Sequence, residues 1–155
     1  MSYPSRLFHA TPGWIKDGER FHIRIRTSTT QHPALSDQLL SEALIGSAQA
    51  YHVSGRWHCT LFLLMPDHVH ALLQFPRSPG MSETVRAWKR ECARLQGIRW
   101  QDGYFDHRLR SDEEALATYA YIQSNPVVKG LCATLEAWPF QWSELPAAKT
   151  DKPAR

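Results

Sequence analysis

Two histidines stand one residue apart in the stretch LLMPDHVHALLQF, which spans residues 63–75 and is otherwise almost entirely apolar. On a β-strand, residues two apart point to the same face, so His68 and His70 would project side by side. Two neighbouring imidazoles supply half of a metal site. A single histidine in an apolar strand is more often a hydrogen-bonded structural residue, and for this pair the spacing leaves both interpretations open.

The second candidate segment, SDEEALATYAYIQSNPVVKG at residues 111–130, predicts a helix. It opens with an S-x-x-E capping box from Ser111 to Glu114. We expect the helix to end close to Asn125, because Pro126 disfavours a helical conformation in the residue before it.

The helical period assigns the two tyrosines of this segment to different faces. At 3.6 residues per turn, Tyr121 shares a face with Asn125, whereas Tyr119 lies nearly opposite. Tyr119 is therefore predicted to be core and Tyr121 to be presented. Alone, this pattern is typical of a tyrosine at a helix edge. Combined with His68 and His70, it permits a further interpretation: two imidazoles and an amide oxygen hold a divalent ion that polarises a phosphodiester, and a tyrosine hydroxyl attacks the phosphorus.

The elements that must position these residues are strands and helices in alternation. Strands are predicted in ERFHIRIRT, RWHCTLFLLM, VHALLQF and, as a short strand or extended segment, WQDGYFDHRLR. The first strand has a basic face, and the turn PDH is short enough to join the second and third as a hairpin. The predicted order is β, α, β, β, α, β, α, which indicates an α+β fold with an antiparallel sheet packed against helices.

Two further helices are predicted between these strands. The first lies in ALSDQLLSEALIGSAQAYHVSG, where Ser36 and Asp37 are available as caps and Gly55 follows the end. The second lies in SETVRAWKRECARLQG and is amphipathic. Its predicted core side consists of Val85, Trp88, Cys92 and Leu95, and its basic side of Arg86, Lys89, Arg90 and Arg94.

Composition sets the limits on these interpretations. With 155 residues, the chain is predicted to form one domain over residues 1–145, followed by a disordered tail at 146–155. Three cysteines without a C-x-x-C pair indicate reduced thiols. The sequence has neither a secretory signal nor an apolar run of roughly 20 residues, so we expect a cytoplasmic protein. A net charge of +3 permits nucleic acid as a partner without requiring it.

At this point the sequence resembles the HUH single-strand endonucleases, and within them the single-tyrosine transposases associated with repetitive extragenic palindromes (REP). Their histidine-hydrophobe-histidine motif is matched by His68, Val69 and His70. Further similarity lies in WKRECAR, WQDGYFDHRLR and YIQSNPVVKGL, in the order of the family, and covers the chain from about Arg20 to Trp142. The resemblance implies a ferredoxin-like antiparallel sheet with helices, and hairpin-forming single-stranded DNA as the substrate.

The resemblance also implies roles for individual residues. Tyr121 would be the nucleophile, and His68, His70 and Asn125 would be ligands of Mg²⁺ or Mn²⁺. Attack by the tyrosine would give a 5′-phosphotyrosine and a free 3′-hydroxyl, so that rejoining to another strand needs no external energy. Relatives vary at the third ligand, some using glutamine, and Asp67 stands where asparagine is often expected.

Basic and aromatic residues are candidates for DNA contacts. The predicted phosphate contacts are Arg24, Arg26, Arg86, Lys89, Arg90, Arg94 and Arg108. Trp88, Tyr104 and Phe105 are candidate stacking platforms. Solvent-facing arginines and core aromatics are common, so both interpretations of these residues stay open.

Three functions fit this pattern. The first is a DNA strand-transferring enzyme, and the second is a non-catalytic module that binds structured single-stranded nucleic acid. The intact set of His68, His70, Tyr121 and Asn125 favours the enzyme, because a pure binder does not need all four. A phosphodiesterase that uses water would leave Tyr121 without a role. Either a monomer or a homodimer is compatible with the sequence.

Overall fold

A computed structural model of the chain describes residues 19–29 and 32–144. In chain order, its elements are β1 (Arg20–Arg26), α1 (Gln38–Val53), β2 (His58–Leu64), β3 (His68–Gln74), α2 (Met81–Gln96), β4 (Phe105–Leu109), α3 (Asp112–Val128), a 3₁₀ turn (Leu135–Ala137) and β5 (Gln141–Ser143). The predicted tail at 146–155 lies outside the described residues, and the predicted domain limits stay predictions.

The five strands form one antiparallel sheet in the order β4-β1-β3-β2-β5. The predicted α+β class is therefore confirmed. Strand β3 lies at the centre, and all seven of its residues are buried. Within the described ranges, no helix combines the length and the apolar character that a membrane span requires.

The first face of the sheet is covered by α1 and α2. Alternation along β3 sends Val69, Ala71 and Leu73 to this face, where they join a large apolar cluster. Among its fully buried members are Trp57 and Trp88, whose ring centroids lie 5.9 Å apart. The predicted core positions Val85, Trp88 and Cys92 are confirmed.

Among the described residues, α3 and the segment that follows it cover the second face. Its smaller apolar cluster consists of Leu61, Leu63, Met65, Leu72, Leu109, Ala115, Tyr119, Ile122 and Trp138. His68 and His70 project to this same face, beside the cluster. The apolar cluster on this face holds α3 in place, and His68 and His70 beside it line a cleft.

Side-chain caps fix the start of two helices. Asp37 accepts hydrogen bonds from the N–H groups of Leu39 (3.1 Å) and Leu40 (3.0 Å), as the sequence predicted for α1. At α3, Ser111 Oγ accepts from the N–H of Glu114 at 3.0 Å.

The capping box at α3 differs from the expected one in its return bond. The carboxylate of Glu114 accepts from the N–H of Arg110 at 2.7 Å, one residue before the cap. The start of α3, and with it the rotational phase of Tyr121, is nevertheless fixed by side-chain hydrogen bonds.

Two predictions are wrong: the end of α3 and the burial of Leu95. Helix α3 continues three residues past Asn125 with Pro126 inside it. A proline in the last turn removes one N–H donor, yet the Lys129 N–H still bonds the Asn125 carbonyl at 2.9 Å, so the helix extends. Leu95, predicted to be core, is 63% exposed because it lies in the last turn of α2, just before the helix ends at Gly97. Strand β5 was not predicted.

Candidate active site

A cleft of about 700 Å³ lies on the second face of the sheet, between β1, β3 and α3. His68, His70, Tyr121 and Asn125 all line it. The histidines and the asparagine are buried, whereas Tyr121 is 55% exposed and the other tyrosine, Tyr119, is buried. The predicted difference between the two tyrosines is therefore confirmed.

The polar atoms of these residues converge on His70. Its Nε2 lies 3.2 Å from Nε2 of His68 and 3.2 Å from Nδ2 of Asn125. The ring of Tyr121 stands nearly perpendicular to the His70 ring, with 6.1 Å between the centroids. Two imidazoles and an amide therefore meet at one point of the cleft, and the ring of Tyr121 lies beside them.

Asp67 determines which nitrogen of His68 carries the proton. Nδ1 of His68 lies 2.7 Å from the carboxylate of Asp67, and an ionised carboxylate only accepts. The proton of neutral His68 is therefore on Nδ1, and Nε2 faces the cleft with a free lone pair. Burial is the largest influence and lowers the pKa of His68, although Asp67 acts to raise it.

A second histidine lies on the far side of His70, where Nδ1 of His70 is 2.9 Å from Nε2 of His22. If the amide Nδ2 of Asn125 donates to Nε2 of His70, the proton of neutral His70 lies on Nδ1 and His22 accepts it. Burial lowers the pKa of His70 to about 2 and that of His22 to about 4, so both are neutral at pH 7.

These residues fit a divalent metal ion. With the proton of His70 on Nδ1, two unprotonated Nε2 atoms face each other across 3.2 Å, a contact of lone pairs that a cation relieves. Two donors that bind one ion at about 2.1 Å and roughly at a right angle lie about 3 Å apart. Turning the amide of Asn125 by half a rotation puts its oxygen beside the same point. Mn²⁺ accepts such mixed nitrogen and oxygen donors more readily than Mg²⁺.

Comparison with known proteins finds two curated proteins that are similar to this chain in sequence. No protein-family model matches the chain. A Haemophilus influenzae protein named "Putative REP-associated tyrosine transposase" is 26% identical, over 50% of this chain and 53% of that protein. A second Haemophilus influenzae protein, named only "Uncharacterized protein", is also 26% identical, over 43% of this chain and 53% of its own length. The chain spans about half the length of these curated relatives.

A solved structure described as a REP-associated tyrosine transposase bound to a REP hairpin has the same fold. Its TM-score is 0.64, at 22% identity, and the match covers 79% of this chain and 74% of that one. In sequence and in fold, the chain is similar to proteins described as REP-associated tyrosine transposases. The resemblance indicated by the motifs is thereby confirmed, and so is the fold that it implied.

Two residues that contact the histidine motif were not identified as site residues from the sequence. Asp67 was interpreted as a turn residue, and His22 was counted with the arginines of the basic face of β1. The signal for Asp67 is its place next to His68. His22 is recognisable only from the register of β1 against β3, which pairs Arg24 with His70 and His22 with Leu72.

The predicted DNA-contact residues fall into separate places. Arg24 and Arg26 line the cleft. Arg86 and Arg90 line a second groove, of about 470 Å³, together with Tyr104. The two remaining arginines lie outside both of these linings: Arg94 is exposed in the last turn of α2, and Arg108 on β4 lies 3.4 Å from Glu19.

Two predictions about α2 need correction or refinement. Lys89 donates to the carbonyls of Gln101 (2.8 Å) and Gly103 (2.6 Å), so its ammonium group is engaged in holding that loop. Trp88 is fully buried and is not available as a stacking platform. Phe105, by contrast, is 41% exposed, with the Arg24 guanidinium 4.6 Å from its ring centroid.

A second group of potential metal ligands lies at the edge of β2, away from the cleft. Ligand atoms of His52, His58 and Glu144 lie within 4.8 Å of one another. However, Nδ1 of His52 accepts the N–H of Cys59 at 3.0 Å, so the neutral ring carries its proton on Nε2. Neither nitrogen of His52 then offers a free lone pair, and we interpret the group as a hydrogen-bonded cap on the strand edge.

Proposed function

We propose that this chain is a metal-dependent single-strand DNA endonuclease and strand transferase, which acts on hairpin-forming DNA through a 5′-phosphotyrosine. One observation carries the proposal. The half-exposed phenol of Tyr121 lies in the same cleft as His68, His70 and Asn125, whose polar atoms converge. A phosphodiester placed there would meet a nucleophile and an electrophilic site together.

In this mechanism, His68, His70 and Asn125 would hold Mg²⁺ or Mn²⁺. When bound, the ion supplies Lewis-acid polarisation of the scissile phosphate. The oxygen of Tyr121 attacks phosphorus and its proton passes to solvent, while the bond to the 3′ oxygen breaks and this oxygen takes up a proton from solvent. The products are a 5′-phosphotyrosine and a 3′-hydroxyl. Attack by another 3′-hydroxyl reverses these steps and joins two strands, which is the chemistry of DNA transposition and recombination.

The proposed partner is single-stranded DNA that forms a hairpin. The cleft has Arg24 and Arg26 on its wall, and arginine pairs with phosphate through two parallel hydrogen bonds. Arg86 and Arg90 in the second groove are proposed to extend the phosphate contacts. Arg94 and Arg108 stay candidates for phosphate contacts. We also propose that the protein is cytoplasmic and acts as a monomer or a homodimer.

The test is formation of a covalent adduct. A labelled single-stranded hairpin with Mn²⁺ should give a protein-DNA species that survives denaturing electrophoresis. Tyr121→Phe should abolish the adduct while leaving hairpin binding within about twofold, because it removes only the nucleophile. The matched control is Tyr119→Phe, whose buried hydroxyl bonds Ser143 at 3.0 Å, and it should stay active.

Two outcomes would contradict the proposal. An adduct that persists in the Tyr121→Phe variant would assign the nucleophile elsewhere. Hairpin binding by the wild-type protein without any adduct would favour a non-catalytic nucleic-acid-binding protein.

A further inference from the structure

We infer that His22 is a positioning residue that holds His70 in the one tautomer able to bind a metal ion. The role of the ion rests on the proposed function, whereas the tautomer is a property of the metal-free protein. His22 does not line the cleft. It acts through His70 alone.

The hydrogen bonds around His70 define this role. A neutral imidazole has one N–H and one lone pair, and the lone pair that binds a metal must face it. Nδ1 of His70 points away from the cleft to Nε2 of His22 at 2.9 Å. If His22 accepts this proton, Nε2 of His70 stays unprotonated toward His68 and Asn125.

The alternative tautomer of His70 would prevent metal binding. With its proton on Nε2, His70 would donate to Nε2 of His68, which lies 3.2 Å away and has its own proton fixed by Asp67. The two candidate ligands would then satisfy each other, and neither lone pair would be available to an ion. Without His22, the part of the chain that the structure describes offers the buried Nδ1 of His70 no other hydrogen-bond acceptor to oppose this arrangement.

Packing keeps His22 in position. Its side chain is 8% exposed, and its ring stacks on His70 with centroids 5.1 Å apart and planes 26° apart. Phe105 contacts the His22 ring edge-on at 5.6 Å. Phe105 in turn lies under the guanidinium of Arg24, at 4.6 Å. A ring enclosed on both sides has little freedom to turn away from His70.

The direct test reads the tautomer in metal-free protein by imidazole nitrogen NMR. We expect the proton of His70 on Nδ1 in the wild-type protein, and on Nε2 to a substantial extent in His22→Leu. His22→Gln keeps an acceptor oxygen and should keep the wild-type tautomer. A wild-type His70 protonated on Nε2 would overturn the inference.

The second test measures Mn²⁺ affinity by titration, with hairpin binding in EDTA as the check of folding. His22→Leu should weaken Mn²⁺ binding 10- to 100-fold, the usual effect of removing such a partner. His22→Gln should restore most of the affinity. The control is His107→Gln, because His107 pairs with His22 across β1 and β4 but is half-exposed and makes its contact with Glu114.

The outcomes separate the two proposals. Wild-type Mn²⁺ affinity in His22→Leu, with hairpin binding intact, would overturn the role of His22. Equal Mn²⁺ binding by wild-type protein and His70→Ala would instead contradict the proposed metal site, and the NMR measurement would still decide the tautomer. If His22→Leu does not fold, an affinity loss in His22→Gln as large as that expected for leucine would contradict the acceptor role.

Discussion

The two faces of the sheet are made from the same strands and serve different ends. Strand β3 sends Val69 and Ala71 to the face covered by two helices, and His68 and His70 to the face covered by one. The first face is closed by aromatic packing. The second buries imidazoles and an amide that bond one another. Strand alternation thus lets one rigid strand anchor the fold and present the site together.

The difference between the faces has an energetic consequence. Apolar side chains on the first face gain free energy from leaving water, whereas each buried imidazole on the second loses hydration that its partner must replace. Lowered pKa values at His22 and His70 are a sign of that cost. We therefore expect the first face to dominate stability and the second to dominate activity.

The largest expected effect is a loss of stability when the apolar core of the first face is disrupted. Trp88→Ala should lower the free energy of unfolding by about 3 to 5 kcal/mol, because a fully buried indole is replaced by a cavity. Tyr121→Phe should change it by less than about 0.5 kcal/mol, since its side chain is half-exposed. Urea unfolding of both variants measures the contrast. Equal losses would show that the faces are not divided in this way.

The next effect concerns the pH dependence of stability in EDTA. The pKa of His22 falls from 6.5 to about 4 on folding, so between these values the unfolded chain binds more protons and stability rises with pH. The contribution is complete above pH 6.5 and is lost progressively down to pH 4. The full loss from this residue is about 3 kcal/mol.

The measurement is urea unfolding at pH 7 and pH 5. The wild-type protein should lose about 2 kcal/mol more than His22→Gln between these values. Parallel pH profiles for wild type and His22→Gln would mean that His22 is solvated in the folded protein.

Local periodicity accounts for what the sequence could predict. A period of two places His68 and His70 on one face, and a period of 3.6 separates Tyr121 from Tyr119, because both patterns depend only on backbone geometry. The helix start at Asp37 likewise follows from local hydrogen bonding. Such features need no knowledge of the partner strands.

What the sequence could not predict depends on pairing between distant segments. The register of β1 against β3 brings His22 to His70, 48 residues away, and no local pattern encodes it. Lys89 looked like any basic residue on a helix, but its ammonium group bonds a loop 12 and 14 residues further on. Pro126 favours a helix end, yet α3 continues to Val128, with Asn125 and Pro126 both buried.

The smallest expected effect concerns DNA binding by α2, one of the two helices that cover the first face. Arg86 and Arg90 line a groove with Tyr104, so replacing both with alanine should weaken hairpin affinity at low salt. Removing one phosphate interaction should reduce the slope of log K against log salt concentration by about 0.7 for a single strand and about 0.9 for duplex. Lys89 is left intact because its replacement would release the loop at 101–103.

The matched comparison is Arg94→Ala, on the same helix but outside the lining of that groove, and it should change the slope less than the double variant does. Arg86→Lys and Arg90→Lys should reduce affinity without changing the slope much, because lysine keeps the charge and lacks the planar group that stacks on bases. An unchanged slope in the double alanine variant would assign this side of α2 to solvent. The arginines of the cleft wall, Arg24 and Arg26, would then carry the phosphate contacts, and DNA binding would belong to the second face alone.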